Sequence, residues 1–228
     1  MASSLILLFD IDGTLLRRAG PAHRHALEHA ARLVTGRPVT GRLITTEGID
    51  TGGRLDRDIL RLMLSQAGYS DKRIQQWMPA MVAAAQRIYP ALCPDLRPKI
   101  APGMRAFLNQ VQRAGLPCGL VTGNLSRIGW HKMTRAGLRP HFQFGAFAEM
   151  GRTRTELVAL ARRRAPRHSS AILIGDHLND IRAARENGIP IISVATGPMT
   201  RAQLEPFAPD YLLDSIAELP RDVWSTQG

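Results

Sequence analysis

The stretch Leu5-Ile6-Leu7-Leu8-Phe9-Asp10-Ile11-Asp12-Gly13-Thr14-Leu15-Leu16 decides the fold. Its first five residues are apolar without alternation, the pattern of a strand covered on both faces in a parallel sheet. Asp10 and Asp12 follow at once. In an open parallel sheet the carboxyl edge of the strands is where ligands bind. Residues two apart on extended backbone point the same way. Two like charges held side by side need a cation, a proton or an electrophile between them. The stretch therefore reads as a metal-dependent phosphoryl-transfer site with a carboxylate nucleophile.

Further apolar runs recur downstream at 117–121, 143–148, 171–175, 190–194 and 211–213. Helical patterns lie between them at 103–113, 126–136, 154–165 and 180–187, and Gly115, Gly137 and Gly188 stand where helix-ending glycines belong. Strand–helix alternation of this kind predicts a doubly wound, mostly parallel α/β sheet. About a hundred residues separate the first run from the second, too many and too patterned for a crossover loop. Helical periodicity occupies 22–35, 55–67 and 71–89, the last with Asp71 as its expected N-cap. Pro90, Pro94, Pro98 and Pro102 punctuate the return. The expected organisation is an α/β core from 1–16 and 96–228, with an inserted α-helical lobe over 17–95.

Composition narrows the classes. The chain has 228 residues, 44% of them hydrophobic, enough for a substantial core. No apolar window has the length of a membrane span. The first apolar run leads straight into Asp10 and Asp12, so it reads as a strand and not as a secretory signal. Cys93 and Cys118 form neither a disulfide framework nor a zinc spacing, which fits a reducing cytoplasm, and Cys118 reads as a small core residue. The net charge is +11, and lysine occurs only at 72, 99 and 132, so the basic residues are almost all arginine. Those arginines are spread along the chain and not interleaved with aromatics, which favours solvated helix faces over a nucleic-acid surface. The densest group, Arg162, Arg163, Arg164 and Arg167, sits near a helix end, where cations favour the dipole.

Two more strand ends carry chemistry. In Leu120-Val121-Thr122-Gly123-Asn124 a strand ends in a hydroxyl and a glycine before a helix. The Thr122 hydroxyl and the amides of Gly123 and Asn124 are candidate phosphate donors there. In Ile174-Gly175-Asp176-His177-Leu178-Asn179-Asp180 a strand again ends in carboxylates. Oxygen-rich ligation of this sort suits Mg²⁺. No GxGxxG follows the first strand and no GxSxG is present, which argues against hydride and acyl transfer.

In their order and spacing, these three motifs resemble those of the haloacid dehalogenase superfamily, in its phosphoglycolate-phosphatase-like branch with a helical cap. The resemblance implies a Rossmann-like core with an inserted α-helical cap. It implies a phosphomonoester hydrolase acting on a small phosphorylated metabolite through an aspartyl phosphate. Asp10 is then the nucleophile and Asp12 the general acid and base. Mg²⁺ would be held by Asp10, the Asp12 carbonyl and Asp176, with Asp180 supporting the shell. Thr122, Gly123 and Asn124 would bind the phosphoryl group. The family usually carries a lysine ahead of the last motif; here the position falls to Arg154, with Arg152 as the competing choice. Gly53-Arg54-Leu55-Asp56 partly matches a turn common in such caps, with Leu55 in place of a threonine and Arg54 as a candidate contact for a substrate carboxylate.

Other readings stay open from sequence. A phosphomutase of the same architecture shares all three motifs. A non-catalytic basic binding protein would exploit the charge, but has no need of the aspartates. His25 and His29 share a helix face as a possible metal pair, although with His23 they read more simply as surface or core histidines. Asp176 and Asp180 are alternatively helix caps, Thr122 a turn residue, and His177 a loop residue beside the site. Trp77, Met78 and Met81 read as packing between the inserted helices. The expected state is a monomer or homodimer with no membrane and no nucleic-acid partner.

Overall fold

A computed structural model describes residues 5–17, 20–36, 43–166 and 169–224. Its centre is β1 (Leu5–Phe9), all five residues buried, as the unbroken apolar run requires. β1 pairs in parallel with β2 (Cys118–Val121) on one side and β4 (Ser170–Gly175) on the other. The sheet extends through β3 (Phe144–Ala146), β5 (Ile191–Val194) and β6 (Tyr211–Leu213) to the order β3-β2-β1-β4-β5-β6, parallel throughout. Strand order reverses at β1, so the crevice for a ligand lies at its carboxyl end. Burial of every residue of β1, β2 and β5 shows that both faces are covered. The helices on the sheet include α4 (Met104–Arg113), α5 (Ser126–Ala136), α6 (Arg154–Arg164) and α7 (Leu178–Glu186). Phe9 meets Phe107 of α4 and Phe142 edge-on at 6.3 and 5.7 Å.

Between β1 and β2 lie α1 (Ala22–Thr35), α2 (Asp56–Gln66) and α3 (Asp71–Leu92), which pack against one another. Tyr69 and Trp77 meet edge-on at 5.2 Å, and Met81 is buried, as expected for packing between these helices. The chain leaves and re-enters the sheet layer side by side: Leu16 bridges Ile100, Arg17 N donates to Lys99 O, and Ala101 N to Leu15 O.

Four details differ from the sequence reading. The run at 143–148 contributes only three strand residues, because β3 is an edge strand paired on one side. α3 continues past Pro90 to Leu92, and the ladder resumes as Cys93 N donates to Tyr89 O. Ser70, not Asp71, is the N-cap of α3; Asp71 is its first helical residue, placed to favour the dipole. α7 begins at Leu178 rather than 180. His177 is its N-cap, accepting from Asn179 N while the Asp180 carboxylate accepts from His177 N, so Asp176 is left outside the helix.

Candidate active site

Asp10 follows β1, and its amide donates to Ile174 O of β4 at 3.0 Å, which sets it level with the end of that strand. Asp176 begins the loop after β4. Asp10, Asp176 and Asp180 are all buried, and one carboxylate oxygen from each lies within 4.8 Å of the others. The loops close tightly on Asp176. Thr14 donates to its Oδ1 at 2.8 Å, and Gly13 (φ +91°) passes so near that a Cβ there would collide with its carboxylate.

The group expected from 154 or 152 is Arg154. Its side chain is buried, and Nη1 donates to Asp10 Oδ1 and to Val121 O, both at 3.0 Å. Nε lies 3.2 Å from Asp180 Oδ1. Arg152 is exposed. Burial alone would lower the Arg154 pKa, but Asp10 and Asp180 outweigh it and raise it, so the guanidinium stays charged.

One cation does not neutralise three carboxylates. Burial, then the charges of Asp10 and Asp180, push the Asp176 carboxyl well above the usual carboxylate range. Burial also pushes Asp180 up to about 7, against the opposing pull of Arg154. Asp180 Oδ1 is buried without a hydrogen bond. An oxygen-lined cluster with excess negative charge, in which Asp180 Oδ1 has the Arg154 ion pair but no hydrogen bond, fits a hard divalent cation. The Asp180 carboxyl releases its proton near pH 4 in the unfolded chain and only near pH 7 in the folded one, and Asp176 shifts in the same direction. Stability contributed by the protonated groups is therefore lost as pH rises from about 4 to about 7. Denaturant midpoints in EDTA are expected to fall across that window, and saturating Mg²⁺ to flatten the fall.

Asp12 points elsewhere. Its Oδ2 accepts from Lys132 Nζ at 2.5 Å and from Asn124 Nδ2 at 2.8 Å. Burial raises its pKa, but the charge of Lys132, then His23, and the hydrogen bonds from Lys132 and Asn124 prevail and hold it below the usual range. Asp12 therefore stands ionised, while its side chain keeps 41% of its surface open to the cavity.

The motif after β2 is arranged differently from expectation. The Thr122 hydroxyl is fully buried and accepts from Asn124 N and Asn124 Nδ2 at 3.3 and 2.9 Å. Its own hydrogen is left to donate. The amides at the start of α5 are already taken: Leu125 N by Asp56, Ser126 N by Glu149 and Arg127 N by Gln86. That helix end is thus closed by side chains. Gly123 lies directly under α2, where a Cβ would strike Arg54 O, and Gly123 O accepts from Asp56 N at 2.8 Å.

A cavity of about 510 Å³ opens above these groups. Asp10, Asp12, Arg154 and Asp176 line it from the sheet side, and His23, Arg24 and Arg54 from the inserted helices and the loop ahead of α2. His177 lines it too, with burial lowering its pKa so that the ring stays neutral. Exposed Arg54 donates through Nε to Asp50 O at 2.6 Å. His25 and His29 are exposed on α1, and among the described residues the only metal-compatible cluster is the aspartate group. Arg162 and Arg164 satisfy the carbonyls of Asn187 and Gly145, and Arg167 lies outside the described residues. Cys118 is buried, its thiol pushed up to about 12 by burial, an inert core residue.

Three participants escaped the sequence reading. Thr14 belongs to the first motif but was given no partner. Lys132 sits on the buried face of α5 with Ile128 and Ala136, and a lysine on an apolar helix seam was the available signal. Asp56 had none.

Sheet order, crevice and carboxylate cluster define a doubly wound α/β protein with an acidic site at its switch point. Residues 7–185 match the model of the haloacid dehalogenase-like hydrolases, and the chain belongs to that family. It is 25% identical over 215 residues to a phosphoglycolate phosphatase of Synechococcus elongatus, covering 93% of this chain and 94% of that one. The crystal structure of CbbY from Rhodobacter sphaeroides in complex with phosphate is similar at a TM-score of 0.60 and 25% identity, covering 94% and 95% of the two chains. A haloacid dehalogenase-like hydrolase from Streptococcus pneumoniae shares the fold at a TM-score of 0.61 and 18% identity, with 98% of each chain covered. The chain is thus an enzyme of the hydrolase class with phosphatases among its relatives. Among the described residues, no helix is long and apolar enough to cross a membrane.

Proposed function

We propose that this enzyme is a Mg²⁺-dependent phosphomonoesterase for a small phosphorylated metabolite of the phosphoglycolate or sugar-phosphate kind. The observation that carries the reading is Asp10: a buried carboxylate at the sheet switch point, touching Arg154 and lying within 4.8 Å of Asp176 and Asp180. Asp10, Asp176 and the Asp12 carbonyl would hold the cation, with Asp180 behind them. The cation would supply charge neutralisation for a carboxylate attacking an anionic phosphoryl group.

The chain's own residues do the rest. Asp10 attacks phosphorus and becomes an aspartyl phosphate while the ester oxygen leaves. Arg154 draws charge from the transferring oxygens and orients Asp10, which it already touches. The Thr122 hydroxyl and the Gly123–Asn124 turn stand beside the phosphoryl group. Asp12 supplies a proton to the departing alcohol, then takes one from the water that opens the acyl phosphate. Residues 17–95 form a cap over the core of 1–16 and 96–228. The paired segments at Leu16 and Ile100 are its hinge, and Arg24, Arg54 and His177 sort substrates.

The test is a panel of phosphorylated metabolites with purified protein. Turnover is expected with Mg²⁺ and not in EDTA. Mg²⁺ at a hundredfold its Kd is expected to stabilise the fold by about 2.7 kcal/mol, read as a rise in Tm. Turnover that persists in EDTA would defeat the reading. Turnover that requires a bisphosphate activator would replace it with phosphomutase action.

A further inference from the structure

We propose that Lys132 is a positioning residue for Asp12, and that His23 and Asp56 tie its placement to the helices lying over the site. This inference rests on the phosphatase reading, in which Asp12 moves the protons. Lys132 is fully buried on α5, in the sheet layer. Its Nζ touches Asp12 Oδ2 at 2.5 Å and His23 Nδ1 at 3.1 Å. His23 Nε2 in turn lies 2.9 Å from Asp56 Oδ2, which also accepts from Leu125 N at 2.8 Å.

The donors fix the direction of this chain. An ammonium has hydrogens to give and no lone pair. His23 Nδ1 must then be the acceptor, and Nε2 carries the hydrogen donated to Asp56. Each link leaves the next one orientation. Tyr89 of α3 packs edge-on against the His23 ring at 5.7 Å and holds its plane. Each of the three inserted helices thus contributes one group: α1 gives His23, α2 gives Asp56 and α3 gives Tyr89. Asp56 is also anchored to the loop after β2 through its own amide and Gly123 O.

The consequence is mechanical. With α1 and α2 seated, Lys132 is held from two sides and Asp12 is aimed at the cavity. With them displaced, Lys132 loses His23, and Asp12 keeps the Asn124 amide and a loosely directed Lys132. Arg154 performs no such service, because it touches Asp10 and Asp180 and leaves Asp12 alone.

The experiment has an activity arm and a metal-free arm. Lys132→Met and His23→Ala are each expected to lower kcat about 10²-fold, the usual effect of misplacing a reacting group by an ångström, with KM little changed. The double variant is expected to be no slower than Lys132→Met, because the links act in series. Asp56→Asn, which keeps an acceptor oxygen, is expected to retain most of the kcat that Asp56→Ala loses. Losses that multiply in the double variant, or that fall on KM alone, would overturn the proposal. In the metal-free wild type, imidazole ¹⁵N shifts are expected to show His23 protonated at Nε2 and bare at Nδ1, with the Nδ1 resonance shifted in Lys132→Met, where Asp56 alone holds Nε2–H. A proton found on Nδ1 in the wild type would also overturn it. A wild type inactive on every phosphate ester would instead defeat the phosphatase reading, leaving the ¹⁵N arm to decide the chain of contacts.

Discussion

Asp10→Asn is expected to abolish turnover, with Mg²⁺-dependent hydrolysis falling by about 10⁴-fold or more, the scale of losing a covalent nucleophile. An amide does not attack phosphorus, so no acyl phosphate forms. The substitution is mild for the fold. Asparagine keeps an oxygen in place to accept from Arg154 Nη1, now 3.0 Å from Asp10 Oδ1. Relief of one negative charge beside Asp176 and Asp180 offsets part of what the Arg154 ion pair loses. Circular dichroism should therefore be unchanged. Rapid-quench labelling with a ³²P-ester should give a hydroxylamine-sensitive protein adduct in the wild type and none in the variant. Wild-type turnover in Asp10→Asn would remove the carboxylate mechanism altogether.

The second large effect belongs to Asp12→Asn, and it has two separable parts. Loss of a general acid and base lowers kcat/KM by about 10²–10⁴-fold. The loss should be deepest for alkyl phosphates, whose alcohol needs a proton to leave, and shallower for para-nitrophenyl phosphate, whose phenolate does not. Equal losses on both would take Asp12 out of the acid role. The other part is stability. Lys132, with 1% of its side-chain surface exposed, is left without its counterion. Breaking a buried pair from one side costs about 3–5 kcal/mol. The lower end, about 3 kcal/mol, is expected because Asp12 itself is part-solvated. Adding Lys132→Met should restore most of the lost stability and none of the activity, as urea denaturation and kinetics on the same preparations will show.

Much of this was written locally. An unbroken apolar run ending in two aspartates specifies a buried parallel strand and what stands at its carboxyl end, and those five residues form β1 as expected. Glycines at helix ends and strand–helix alternation gave the core helices to within a residue or two at most boundaries. Boundaries slipped where a side chain competes for a backbone group. His177 and Asp180 together start α7 two residues early, and a hydrogen bond between side chain and amide has no periodicity to read. Arg154 and Leu157 share the buried face of α6, which sets Arg154 against Asp10 and leaves Arg152 exposed.

What the sequence by itself determined is the chemistry on offer: which carboxylates stand at strand ends, and that a cation and a phosphoryl group suit them. Such information is carried by neighbours along the chain, where backbone geometry fixes direction. Only the tertiary structure decided who answers whom across the layers. It gave Lys132 to Asp12 over 120 positions of chain and His23 to Asp56 over 33. It also filled the amides of α5 with Asp56, Glu149 and Gln86 instead of leaving them for an anion. Partners so far apart in sequence are selected by packing and desolvation, since a buried charge accepts whatever opposite charge the fold brings within reach.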